Sequence, residues 1–462
     1  MAVWSICFKG LSMRRKIYNK LLDWKSNDAS RTALLIDGAR RVGKSYIAEE
    51  FGRNEYKSYL LLDFNRVGAE VRRLFEHHLD DLDTFFMFIS AYFNVPLYIG
   101  ETLIIFDEVQ LFPRARSAIK YLVADGRYHY IETGSLVTLK SNLGDALIPS
   151  EERHIRMFPM DFEEFLWALG NETLMPMLRQ CFARRCELGQ VMHRKAMDNL
   201  RQYLVVGGMP QAVAEYVRQR DFVKVDAIKR DILQLYRNDI VKHARGYERK
   251  VAAIFDEIPA QLQKHEKRFN LSSLSKEARY RDYEDALFWL SDAMIINPCY
   301  NSSEPSIGLK TNMQRSTMKC YMADTGLLIS HAFDENSLTS EEIHKKLLFG
   351  KLEFNKGMLM ENIVAQMLTA SGHNLYFYSN YSREDSALQM EIDFLIAKNK
   401  ITSRHNISPV EVKSGANYTF SSLNKFRAKY ATYLHTPYIL HTADYVQKDG
   451  ITFLPLYMTP LL

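Results

Sequence analysis

The sequence predicts an α/β fold, and three observations carry that prediction. Up to about residue 165, short apolar runs alternate with helically spaced segments. A glycine-rich octapeptide, Gly38–Ser45, stands between the first such run and a helical segment. From about residue 350, strand-like runs resume around a helix, with acidic side chains at alternating positions. The composition agrees: 462 residues, 47% hydrophobic and 25% charged, with only 21 Gly and 13 Pro, which excludes collagenous, low-complexity and largely disordered chains. At about 150 residues per domain, length alone suggests three domains.

Taken in order, residues 1–30 form a lead segment. Its Ala2–Phe8 stretch is apolar, but no basic residue precedes it, which argues against a signal peptide. Met13-Arg14-Arg15-Lys16 is a more conventional start than Met1. In the core, 31–165, the runs Ala33–Ile36, Tyr59–Leu62, Leu103–Phe106 and Tyr128–Ile131 are continuously apolar. Continuous rather than alternating hydrophobicity means both faces are covered, which suits a parallel sheet. Residues 166–245 read as helices interrupted by Gly207-Gly208-Met209-Pro210. In 246–335, helices through Ile254, Ile258 and Leu262 and through Leu287, Trp289 and Leu290 precede two strand-like runs, around Ile295 and Met318–Met322. Helices followed by a hairpin suggest a winged helix-turn-helix. Residues 345–462 read helix–strand–strand–strand–helix–strand.

Gly38-Ala39-Arg40-Arg41-Val42-Gly43-Lys44-Ser45 fits G-x-x-x-x-G-K-[ST] at every fixed position, in the strand-to-helix context that the motif needs. Glycines let backbone N–H groups close on phosphates, and the helix N-terminus adds its dipole. Lys44 is placed to reach the β- and γ-phosphates and the Ser45 hydroxyl to ligate Mg²⁺. Thr102–Glu108 is an apolar strand ending in two acids. Asp107 would hold the Mg²⁺ and Glu108 would polarise the attacking water, an arrangement that favours hydrolysis over a passive switch. The next strand ends in Thr133-Gly134-Ser135, where Thr133 or Ser135 could sense the γ-phosphate or simply make a turn. No N-K-x-D stretch selects guanine, so ATP is the expected nucleotide. Arg153 and Arg156 are the candidates for an arginine finger, against the plainer reading as surface arginines.

A second constellation is Glu361, Asp393, Glu411 and Lys413. In Met390–Ile396 the apolar side chains alternate, so Asp393 points away from them, and in Pro409–Lys413 the residues Glu411 and Lys413 project together. Two carboxylates and a lysine on neighbouring strands can hold a divalent metal and a water beside a phosphodiester. Asp393, Glu411 and Lys413 would then be catalytic, and Glu361, on the helical segment Leu359–Leu368, would complete the metal set with Asp393 and Glu411. The same pattern also describes polar strand positions bracketed by core valines.

With both sites in hand, the chain resembles the bacterial and archaeal AAA-family ATPases that carry a C-terminal domain of unknown function related to PD-(D/E)XK nucleases. The resemblance rests on Gly38–Ser45, Asp107-Glu108-Val109-Gln110, Thr133–Ser135, Phe158–Phe165 and Gly207–Pro210, and in the second half on Asp324–Leu328, Glu361-Asn362, Glu391–Asp393 and Glu411–Lys413. It implies an ATP-binding AAA-type core with a helical lid, a winged-helix module and a restriction-endonuclease-like α/β tail. It leaves open whether that tail cuts DNA or only binds.

Charge points to a partner. The whole chain carries +5, yet residues 241–282 alone hold ten basic against six acidic side chains. Lys264, Lys267, Arg268, Arg279 and Arg281 flank the expected turn, where they could meet DNA phosphates, or form a solvated helical face or a subunit contact. Phe288 and Trp289 suit a core better than base stacking. The five cysteines are scattered without a CxxC pair, so a reduced, cytoplasmic location is expected, and no apolar run is long enough for a membrane span. An arginine finger supplied in trans would make the chain a homo-oligomer. The alternative function is a nucleotide-gated scaffold that binds protein partners and carries an inactive nuclease-like domain.

Overall fold

The structure is a computed structural model describing residues 13–134, 150–264, 268–306, 308–333, 356–380, 389–397, 405–415 and 417–462. Two compact units divide the chain, one built on residues 14–158 with 292–294 and one on 159–291 with 295–462. The expectations for Ser135, for Lys267 and for the first twelve residues lie outside the described residues.

In the N-terminal unit the four expected strands form as β1 (Ala33–Asp37), β2 (Ser58–Asp63), β3 (Thr102–Asp107) and β4 (His129–Gly134), with ends shifted by at most three residues. A fifth, β5 (Glu152–Arg156), joins them in the order β2-β3-β4-β1-β5, every pairing parallel. β1 and β3 are buried along their whole length, as continuous apolar runs require. The parallel register brings the carboxyl ends of β1, β3 and β4 side by side, the edge where open α/β sheets bind ligands.

The C-terminal unit begins with the helices predicted for the lid. The first, Phe162–Ala168, starts in a reciprocal cap: Asp161 accepts from the Glu164 N–H at 2.9 Å and Glu164 accepts from the Asp161 N–H at 3.1 Å. Helices Glu248–Gln263 and Tyr280–Asp292 follow, then the hairpin β6 (Ile296–Ser302) and β7 (Met313–Met322). Trp289 is core as expected; Phe288 is not, being 37% exposed.

The hairpin corrects the winged-helix expectation. β6 pairs in parallel with β8 (Tyr376–Asn380), so it is no free-standing wing but one edge of the C-terminal sheet. That sheet continues through β9 (Met390–Ala397), β10 (Ile407–Val412), β11 (Tyr438–His441), β12 (Val446–Lys448) and β13 (Ile451–Pro455), in the order β12-β13-β11-β10-β9-β8-β6-β7. The expected boundary between 335 and 345 therefore falls inside one sheet, and β12 and β13 add two strands to the predicted pattern.

A buried polar hub ties this unit together. Asp324 caps helix Thr325–Ala332 through the Leu327 N–H at 2.9 Å and also accepts the Gly208 N–H at 2.6 Å. A Cβ on Gly208 would collide with the Met160 carbonyl, so only glycine allows this approach. Helix Lys356–Ala370 clamps both neighbours. Asn362 accepts from Met322 N–H at 2.8 Å, while Gln366 accepts from Thr325 N–H at 2.8 Å and donates to Tyr203 Oη at 2.9 Å. Among the described residues, no helix is long and apolar enough to cross a membrane.

Candidate functional site

The octapeptide leaves β1 at its buried carboxyl end and feeds helix Lys44–Glu55. Gly43 takes φ 98°, which is left-handed backbone, and a Cβ on Gly38 would collide with the Met157 carbonyl. The loop wraps its own lysine, whose Nζ donates to the Gly38 and Ala39 carbonyls at 2.8 and 3.0 Å. Burial pulls the Lys44 pKa below the ordinary lysine value, opposed by the charges of Glu108, Asp107 and Asp37. Asp37, just before the loop, moves the other way: burial raises its carboxyl against the pull of Arg156 and His154.

Next to this loop the acids at the end of β3 are locked in place. Asp107 Oδ1 accepts the Ser45 hydroxyl at 2.6 Å and also the Thr133 hydroxyl from the end of β4. Thr133 Oγ1 in turn accepts the Glu108 backbone N–H at 3.3 Å. Glu108 sits at φ 54°, a left-handed conformation that costs a non-glycine residue roughly 1–2 kcal/mol and turns the chain out of the strand. Its carboxylate then accepts the side-chain amide of Gln110. A hydroxyl and a carboxylate this close suit Mg²⁺, which keeps several waters and takes one or two carboxylates. Lys44, Ser45, Asp107 and Glu108 thus gather as the sequence predicts, and the described part of the β4 end contributes Thr133.

The arginines fare differently. Arg153 ion-pairs with Asp28 and stands opposite Leu34, near the start of β1 and away from the loop. Arg156 stands opposite Asp37, 3.8 Å from its carboxylate and 63% exposed.

In the C-terminal unit, Asp393 on β9 accepts the Val412 N–H at 2.8 Å, and Lys413 Nζ lies 2.6 Å from Glu411 Oε2. Those pairings follow the predicted strand parity. The metal set does not follow it. Among the described residues, no group of three or more His, Cys, Asp or Glu side chains is arranged to hold a metal ion, although Glu361 and Asp393 do come together. A lysine takes the middle instead: Lys319, on β7, is 1% exposed and lies 2.6 Å from Glu391, 3.8 Å from Asp393 and 4.0 Å from Glu361. Burial would lower its pKa, but Glu391, Glu361 and Asp393 outweigh burial and hold it above the usual lysine range. Sequence reasoning missed Lys319 and Glu391. Glu391 shares the parity of Asp393 and was legible, whereas Lys319 enters only because β7 joins this sheet.

Residues 30–166 match the family described as an AAA domain, and form an AAA-type P-loop domain; 197–338 and 356–459 match two domains of unknown function, DUF8612 and DUF4143. No curated protein matches the chain. Among solved structures, the Orc1 protein of Aeropyrum pernix in complex with DNA is 9% identical, with 70% of this chain and 94% of that one covered and a TM-score of 0.28. Drosophila ORC bound to DNA is 13% identical over 72% of this chain and 99% of that one, at 0.28, and Cdc6p of Pyrobaculum aerophilum is 12% identical over 75% and 96%, at 0.23. Scores this low carry no argument about this chain's fold or partners.

Proposed function

We propose that this chain is a Mg²⁺-dependent ATPase of AAA type in which nucleotide state governs DNA binding by the C-terminal unit. The observation that carries the reading is Asp107, whose single carboxylate oxygen takes the Ser45 and Thr133 hydroxyls beside a loop closed over Lys44. Lys44 would neutralise the β- and γ-phosphates, Ser45 and Asp107 would hold Mg²⁺, and Glu108 would orient the attacking water. Mg²⁺ would supply charge neutralisation on the phosphate oxygens. Support for DNA is electrostatic: Lys242, Arg245, Arg249, Lys276 and Arg279 are all exposed along one basic stretch.

The test is ATP turnover with and without duplex and branched DNA, paired with DNA affinity across a salt series. Lys44→Ala should abolish nucleotide binding, and Glu108→Gln should keep ATP bound while cutting turnover by about 10²–10³-fold. Unchanged ATP affinity in Lys44→Ala would sink the nucleotide assignment. Turnover indifferent to DNA, with no salt-dependent DNA affinity, would replace the DNA reading with the protein-binding scaffold.

A further inference from the structure

We propose that Lys319 is the resident cation of the acidic centre formed by Glu361, Glu391 and Asp393 in the C-terminal sheet, and that its ammonium takes the place of a divalent metal among these three carboxylates. The sequence assigns Glu361 and Asp393 to a metal. In the fold both face one Nζ, at 4.0 and 3.8 Å, and Glu391, two residues before Asp393 on the same face of β9, closes on it at 2.6 Å.

Two of these acids have further partners. Asp393 turns Oδ1 to the ammonium and gives Oδ2 to the Val412 N–H. Glu361 Oε2 also accepts the Tyr321 hydroxyl at 3.1 Å. The ring of Phe377 covers another side of Nζ, 5.0 Å from its centroid, and completes an apolar and cationic plug. Mg²⁺ needs oxygens at about 2.0–2.1 Å in near-octahedral array, and it competes poorly for carboxylates that already share a buried, hydrogen-bonded ammonium.

Charge also identifies Lys319 as the counter-ion. A lysine buried this completely survives charged only when paired, and three carboxylates surround it. Removing the ammonium would leave those carboxylates in demand of another cation. With the ammonium in place, the centre lacks the metal-activated water that cutting a phosphodiester needs.

The proposal does not depend on nucleotide binding, because the test contains none. Mn²⁺ binding to the full chain is measured by electron paramagnetic resonance, comparing wild type with Asp393→Asn. Equal stoichiometry is expected; one additional Mn²⁺ bound by wild type at submillimolar concentration, and lost in Asp393→Asn, would overturn the proposal. Lys319→Met should gain one Mn²⁺ that Lys319→Met/Asp393→Asn loses again. A Lys319→Met protein with wild-type circular dichroism that gains none also refutes it. If Lys319→Met fails to fold, the wild-type comparison decides alone.

Discussion

Thr133 shows how much a single hydroxyl can do: it donates to the Asp107 carboxylate while accepting the Glu108 N–H, so it fixes both acids at once. Thr133→Val keeps the shape and removes the hydroxyl. A hydrogen bond to a charged group is worth about 1.5–3 kcal/mol, or roughly 10–100-fold in rate. Turnover should fall by that factor while ATP affinity changes less than about threefold, measured as kcat beside a nucleotide titration; equal losses in both would mean that Thr133 merely supports the fold. Lys44, Ser45, Asp107 and Glu108 were legible in the sequence because phosphate chemistry ties their types to a fixed spacing. The contact of Gln110 with Glu108 was not, since it depends on the left-handed backbone at Glu108. A second titratable residue gives a pH prediction. Burial pushes Glu411 from its ordinary 4.5 up to about 7, against the pull of Lys413. Because the folded pKa is the higher one, its contribution is full below about 4.5 and is lost as pH rises through 7. Urea unfolding at pH 5 and pH 8 should show a loss of stability in wild type that Glu411→Gln lacks; identical pH dependence in both would contradict it.

At the scale of elements, strands filled with apolar residues were readable and strands held by charge were not. β5 is Glu-Arg-His-Ile-Arg, which carries no apolar run, and polar packing holds it in the sheet. Arg116 forks onto the buried Glu152 at 2.9 and 3.2 Å, and His154 lies 2.5 Å from the same carboxylate. Burial would raise Glu152, yet His154 and Arg116 hold it low, while burial and the Glu152 charge drive the neighbouring Glu132 well above the carboxylate range. Such a strand is specified by partners far away in sequence, so no local window reveals it. The glycine turn at 207–208 was the reverse case, visible as a breaker but silent about its contact. Gly208 donates to Asp324 and lies against the Met160 carbonyl. Gly208→Ala must push that backbone apart, with a cost in the range of overpacking, about 1–3 kcal/mol. Thermal unfolding should shift down by several degrees, and Asp324→Asn, which keeps the cap geometry with a weaker acceptor, should shift less. A Gly208→Ala protein as stable as wild type would show that the turn can relax without this contact.

At the scale of the whole molecule, family boundaries and folding boundaries part company. The matches to 197–338 and 356–459 break the chain between β7 and helix Lys356–Ala370, as the sequence reading also did. The sheet crosses that break, because β6 pairs with β8 and Lys319 of β7 neutralises acids on β9 and on the helix. A fragment of residues 345–462 would therefore lose two strands, expose the edge of β8 and leave Glu361, Glu391 and Asp393 without their ammonium. Stripping one partner from a buried ion pair costs about 3–5 kcal/mol, against a total stability of about 5–15 kcal/mol for a domain, before the lost strands and hub contacts count. The edge left open is also a template for aggregation. That fragment should be insoluble or melt without cooperativity, whereas 159–462, which keeps β6, β7, Tyr203 and Asp324, should unfold in one sharp transition by circular dichroism. A soluble 345–462 fragment with a cooperative melt would mean that the hairpin decorates the sheet, and the restriction-endonuclease-like tail would then stand alone as the sequence first suggested.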